Sequence, residues 1–157
     1  MKLSELLTPG RVAIKRAANP ASALSKAEIL REVSRLLADG TPLPAKEINK
    51  VLEEREALQS TGIGEGVAIP HGSLPDLDRQ VGAVLTVPNG VDFDSIDAAD
   101  VHLVIALVSP KRESGEHLKT LARISRILRS RPFRERLVHA TDAKEVYDLL
   151  LAEDTGA

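Results

Sequence analysis

The sequence predicts an α/β sandwich of one domain, in which a central mixed sheet of about five strands is flanked by helices on both faces. Three observations carry that expectation. Extended apolar runs alternate with stretches whose apolar residues recur at helical spacing. The run Val101 to Val108 is apolar almost throughout, the pattern of a central strand buried on both faces. And 157 residues, 43% of them hydrophobic and 28% charged, suffice for one sizeable core but not for a second catalytic domain. That core is aliphatic, because Phe93, Phe133 and Tyr147 are the only aromatic residues.

Leu3, Leu6 and Leu7 have helical spacing, and Thr8, Pro9 and Gly10 stop them ahead of a strand over residues 11–15 that Asn19 and Pro20 end. Ser25 and Glu28 then form a capping box, in which the hydroxyl oxygen and the carboxylate satisfy orphan N–H groups at a helix start. Ile29, Leu30, Val33, Leu36 and Leu37 give that helix a buried face, and Asp39-Gly40 reads as a left-handed stop. After the rigid connector from Thr41 to Pro44, a second helix runs over about 45–58 with Ile48, Val51, Leu52 and Leu58 inward. Glu47, Glu53, Glu54 and Glu56 make it acidic, and Arg55 is its odd member. Two readings of Arg55 stand: a surface ion pair with a neighbouring glutamate, worth little, or a guanidinium that swings from the last turns toward an anion near the following loop.

Residues 60–72 hold four of the ten glycines, Gly62, Gly64, Gly66 and Gly72, in a segment that cannot be helix. The plain reading is a glycine-rich loop entering a strand. The functional reading is that alternate glycines turn backbone N–H groups toward one point that small neighbours keep open. With Val67 to Ile69 as a strand, Val67, Ile69 and His71 share a face, and the imidazole stands at the strand exit between Pro70 and Gly72. A dinucleotide fingerprint is excluded, because it needs glycine at position 67 and a helix where Val67 to Pro70 is extended.

Residues 72–78 read as loop, Val81 to Val87 as a strand, Pro88 to Gly90 as a turn and Val91 to Phe93 as a short extended piece. A polar stretch, Ser95 to Asp100, leads into the central strand, where His102 is a strand-end residue without assigned chemistry. Ser114 to His117 opens the third long helix, with Leu118, Leu121, Ala122, Ser125 and Leu128 as its buried stripe, widened by Ile124 and Ile127. His117 falls in the first turn, where unpaired N–H groups and the helix dipole favour an anion; a solvent-exposed first-turn histidine is the alternative. His139 follows a short helix over 132–138 as a surface residue. The last helix starts near Asp142, capped by Glu145, with Val146, Leu149 and Leu150 inward, and residues 154–157 are expected to fray.

The absence of cysteine excludes disulfides and thiolate metal sites. No apolar run suits a signal peptide or a bilayer span, so a cytoplasmic protein without membrane insertion is expected. The formal charge of −2 hides an asymmetry: between Lys111 and Arg136 nine cations face three glutamates, a net +6 that leaves −8 elsewhere. A solvated face or a surface for an acidic protein explains this better than nucleic acid, for which stacking aromatics are also missing. A hydrolase built on His71 with Asp76 or Asp78 lacks a serine or cysteine nucleophile motif.

The segment GIGEGVAIPHG, residues 62–72, resembles the phosphorylation-site signature of the IIA proteins of the bacterial phosphoenolpyruvate-dependent phosphotransferase system, in the class of the mannitol, fructose and nitrogen-regulatory types. The similarity runs from LSELLTPGRVAI near the start to GEHLKTLARIS, nearly the whole chain. It implies one type-2 IIA domain over residues 1–157 that accepts a phosphoryl group on His71 from a phosphorylated HPr-like carrier. His117, in a segment matching the family's GxxHL, is the implied companion that donates to phosphate, Arg55 a stabiliser of it, and Gly62, Gly64, Gly66 and Gly72 the phosphate-binding loop. EALQSTGIGEGVAIPHG is close to the nitrogen-regulatory pattern, which implies phosphorylation-dependent binding to regulatory or transport proteins. The alternatives are a fructose- or mannitol-specific IIA component that passes phosphate to a IIB domain and, in another class, a protein-binding module that is not phosphorylated. No Walker lysine motif, kinase motif or carboxylate cluster occurs, so no ATP, metal or other cofactor is expected. A histidine with a pKa near ~6.5 is largely neutral at cytoplasmic pH and serves as a nucleophile without a strong base.

Overall fold

The structure is a computed structural model that describes residues 2–19, 23–39 and 41–154. Among them are helices α1 (Leu3–Leu6), α2 (Lys26–Ala38), α3 (Ala45–Leu58), α4 (Ser114–Ile127), α5 (Arg131–His139) and α6 (Ala143–Asp154). The strands are β1 (Val12–Ile14), β2 (Gly62–Gly64), β3 (Val67–Ala68), β4 (His71–Leu74), β5 (Val81–Val91) and β6 (Val101–Pro110). They form one mixed sheet in the order β1-β5-β6-β3-β2, with β4 continuing past β3 along the same side of β6. β1 pairs parallel with β5, β5 antiparallel with β6, and β3 and β4 parallel with β6.

The alternation of side chains along β6 divides the core. Val104, Ala106 and Val108 pack under α2 and α3 together with Ile29, Leu37, Ile48, Leu52 and Phe93. Leu103, Ile105 and Leu107 point the other way and meet α1, α4, α5 and α6 through Leu6, Ile124, Phe133, Leu137, Val146 and Leu150. Both faces of β6 are therefore dry, as its unbroken apolar run requires. α2 starts on the expected capping box, with Glu28 N–H donating to Ser25 Oγ at 3.1 Å and Ser25 N–H to Glu28 Oε1 at 3.1 Å. Gly40, the expected helix stop, and Pro20 lie outside the described residues, as do residues 155–157 of the expected frayed tail.

The structure corrects five local expectations. Residues 71–74 are strand rather than loop from Gly72 onward, because His71 to Leu74 pair with Leu107 to Pro110. Pro88 to Gly90 are not a turn but an outward bulge within β5: Thr86 pairs with Leu103 and Val91 with Val101, so residues 87–90 stand opposite His102 alone. Leu58 ends α3 at 83% exposed rather than inward. The buried stripe of α4 is rotated by about one residue, so that His117, Thr120, Ile124 and Leu128 are buried while Ala122 and Ser125 are exposed and Leu118 is 67% exposed. Asp154 is not frayed: its carboxylate accepts the Leu3 N–H at 2.8 Å and pairs with Arg123 Nε at 2.6 Å, closing α6 onto α1 and α4.

Candidate functional site

His71 is set by sheet register. Its pairing with Leu107 places it on the α4 side of the sheet, and Leu107 N–H donates to the Pro70 carbonyl at 3.0 Å, fixing the backbone just before it. The half-buried ring has Nδ1 2.7 Å from the Ile69 carbonyl. A carbonyl oxygen only accepts, so Nδ1 carries the proton and Nε2 keeps its lone pair. Burial pushes the His71 pKa below its ordinary value; the bond to Ile69 opposes this, the positive charge of Arg55 adds to it, and Glu56 opposes it.

His117 enters from α4. Its ring centroid is 5.3 Å from that of His71, with the ring planes tilted by 49°. It is only 8% exposed, because the rotated stripe of α4 turns it toward the sheet. Burial lowers its pKa, and so does the proximity of His71. Its Nδ1 lies 2.6 Å from Ser109 Oγ, a contact made possible because Ser109 follows Leu107 on the same face of β6.

Arg55 is half-buried near the end of α3, where Nη1 donates to the Gln59 carbonyl at 2.7 Å and so caps its own helix. Its charge reaches His71, although its fork is held on that carbonyl. The next residue was missed by sequence reasoning, which counted Glu56 only among the glutamates that make this helix acidic. Its carboxylate is buried, accepts the Thr61 N–H at 3.0 Å and the Thr61 hydroxyl, and pairs with Lys26 Nζ at 2.7 Å. This pins the exit of α3 to the chain that leads into β2. A helical position 48, 52, 56 spacing carries the only sequence signal for its burial.

The glycines divide. Gly62 and Gly64 belong to a hairpin whose tip, Glu65-Gly66, has φ of 57° and 81°, a type I′ turn that needs left-handed backbone at both positions. Gly62 lacks a Cβ because Ser95 occupies that place. The amides of this hairpin are already engaged, Gly62 N–H by Ser60 Oγ at 3.0 Å and Glu65 N–H by Asp97 Oδ2 at 2.9 Å. β3 starts opposite Leu103 and His71 stands opposite Leu107, so even the first residue after the tip, Val67, is four strand positions away, about 13 Å at ~3.3 Å per residue. Only Gly72 adjoins His71. A cleft of about 510 Å³ lies at the hairpin end, against Gly66, His102 and Arg134, and neither His71 nor His117 lines it. His102 Nδ1 donates to the Val87 carbonyl at 3.2 Å, and His139 is an exposed residue bonded to its own helix.

A neutral imidazole with a free lone pair, faced by a second buried imidazole and shadowed by an arginine, is an arrangement suited to receiving a phosphoryl group. The family described as phosphoenolpyruvate-dependent sugar phosphotransferase system, EIIA 2, matches residues 13–153, and the chain belongs to it. Within that family it is similar to nitrogen regulatory proteins: 34% identical over 157 residues to that of Pseudomonas aeruginosa, covering 99% of each chain, and 38% identical over 126 residues to that of Bradyrhizobium diazoefficiens, covering 80% of this chain and 82% of the relative. The crystal structure of the nitrogen regulatory protein IIA-Ntr from Neisseria meningitidis superimposes with a TM-score of 0.83 at 30% identity, covering 94% of this chain and 98% of the other. No helix among the described residues is long and apolar enough to cross a membrane.

Proposed function

We propose that the protein is a phosphocarrier of the nitrogen-regulatory type, in which His71 Nε2 takes a phosphoryl group from the phosphohistidine of an HPr-like carrier. One observation carries this reading: the Ile69 carbonyl holds the proton of His71 on Nδ1 and so presents Nε2 as the nucleophile. The new N–P bond forms as the donor's N–P bond breaks, and that electron pair returns to the donor ring nitrogen. The proton stays on Nδ1, hydrogen-bonded to the Ile69 carbonyl, which stabilises the positive charge that the His71 ring gains. Burial that keeps the ring neutral keeps the nucleophile ready. The loosely bonded phosphoryl group in flight is stabilised by donors fixed around it; His117 and, on release from Gln59, Arg55 supply them. Of the glycines, Gly72 serves this site indirectly: its lack of a side chain lets Val51 bring α3, which carries Arg55, close to the sheet. The output is phosphorylation-dependent binding to regulatory or transport proteins.

The test is phosphoryl transfer from a phosphorylated HPr-like carrier. Wild-type protein is expected to take up an acid-labile label and His71→Ala to take up none while folding normally. Label persisting on the variant overturns the assignment. Onward transfer of the label to a fructose- or mannitol-specific IIB domain at rates comparable to uptake would replace the regulatory reading by the sugar-delivery one.

A further inference from the structure

Behind His117 lies a row of buried polar side chains that the phosphoryl chemistry above leaves unused. Gln80, Ser109 and Thr120 are 2%, 0% and 1% exposed. They sit on the α4 face of the sheet, among Val84, Ile105, Leu107 and Ile124, where aliphatic residues would fill the space without the cost of desolvating hydroxyls and an amide. Gln80 and Ser109 are cross-strand neighbours, one position beyond the Val81–Val108 pair. The Thr120 hydroxyl donates to Gln80 Oε1 at 2.7 Å, Gln80 Nε2 donates to Ser109 Oγ at 3.1 Å, and Ser109 Oγ meets His117 Nδ1 at 2.6 Å.

The direction of the last bond follows from the others. Ser109 Oγ already accepts from Gln80, and its own proton needs an acceptor in a place closed to water. Among the described residues the only one within reach is His117 Nδ1. A buried hydroxyl proton left without an acceptor costs about 1–3 kcal/mol. His117 Nδ1 therefore accepts, and the ring proton resides on Nε2, the one nitrogen left for a group on the neighbouring ring.

We infer that Ser109, oriented by Gln80 and Thr120, is a positioning residue that fixes His117 as the Nε2–H tautomer and so makes it a donor toward His71. This rests on the proposed phosphocarrier role for its purpose, but not for its geometry. The two histidines are then complementary: one keeps its proton on Nδ1 and offers a lone pair, the other keeps its proton on Nε2 and offers a hydrogen bond. With His117 in the opposite tautomer, two lone pairs and the phosphoryl oxygens would repel one another.

Nitrogen-15 NMR of the imidazole side chains in the full, unphosphorylated chain tests this without any transfer reaction. His117 is expected to show Nδ1 unprotonated and Nε2 protonated at neutral pH. Nδ1 found protonated, as a reversed Gln80 amide would produce, overturns the inference whether or not His71 is phosphorylated. In Ser109→Ala the His117 signals are expected to move toward a mixture of tautomers, and transfer to His71 to slow on the order of 10-fold, less than the ~100-fold that loss of a direct donor costs. Ser109→Thr, which keeps the hydroxyl, is expected to restore both. Unchanged His117 signals in Ser109→Ala also overturn the inference. A wild-type chain with the expected tautomer that takes up no phosphate would instead overturn the phosphocarrier reading alone.

Discussion

Gly72 and Val51 pack so closely across the α3 face of the sheet that a Cβ on residue 72 would stand 2.5 Å from Val51 Cγ1. Valine in a helix has one favoured rotamer, so it cannot easily turn aside. Gly72→Ala is expected to cost about 1–3 kcal/mol, the range for an overpacked site, and to displace α3, which carries Arg55 and Glu56. Val51→Ala in the same chain should recover most of that loss. Urea unfolding of the two single variants and the double variant measures the coupling, and additive losses would show that the two residues do not collide.

Glu56 is the second expected weak point. Its replacement by alanine leaves Lys26 Nζ without its 2.7 Å partner and the Thr61 amide without an acceptor. A loss of about 2–4 kcal/mol is expected from breaking a largely buried, hydrogen-bonded charge pair. Denaturant melts of Glu56→Ala and of the Lys26→Met, Glu56→Leu double variant check it. The double variant should be clearly the more stable of the two.

The two histidines give the fold and the transfer rate a shared acid dependence. Both are held below the ordinary value, by burial first in each case. On acidification the unfolded chain binds protons at about pH 6.5 while the folded chain still refuses them. Stability is therefore fully present above about pH 6.5 and is lost as pH falls from there through the folded pKa values. Unfolding free energies measured across that window should fall with pH, and less steeply in His71→Ala and His117→Ala. Transfer to His71 should stay level as pH drops through about 6.5 and decline only below it, because the neutral ring persists.

His117→Ala is expected to slow phosphoryl uptake on the order of 100-fold, with the label still on His71. Arg55→Ala should have the smaller effect, because its guanidinium must first leave the Gln59 carbonyl. Rapid-quench rates with mapping of the labelled residue decide both; label on His117 would reverse the order of the two histidines.

Much of this was legible in the chain itself. The unbroken run from Val101 to Val108 announced the central strand, the Ser25–Glu28 box announced α2, and the alternation through Val67, Ile69 and His71 announced which way the imidazole faces. What stayed hidden depends on partners distant in sequence. Gly72 and Ser73 have no strand propensity and are strand because β6 offers them a ladder. Glu56 resembles its surface neighbours until Lys26, thirty positions earlier, folds against it. The burial of His117 stayed hidden because the apolar pattern put Leu118 and Ala122 in the buried stripe, whereas the polar contacts of Ser109 and Gln80 accompany the rotated face. The glycines misled in the other direction: three of the four shape a hairpin rather than adjoin the imidazole.

The Asp154 carboxylate, shared between the Leu3 amide and Arg123, has a mechanical consequence. Residues near the two ends of the domain are fastened to the same oxygen pair, so a module attached at either side leaves from one corner of the molecule. Along the chain, α1 and α6 are the first elements met from either side, ahead of any strand. β4, which holds His71 against β6, lies mid-chain and is reached from that corner only through them.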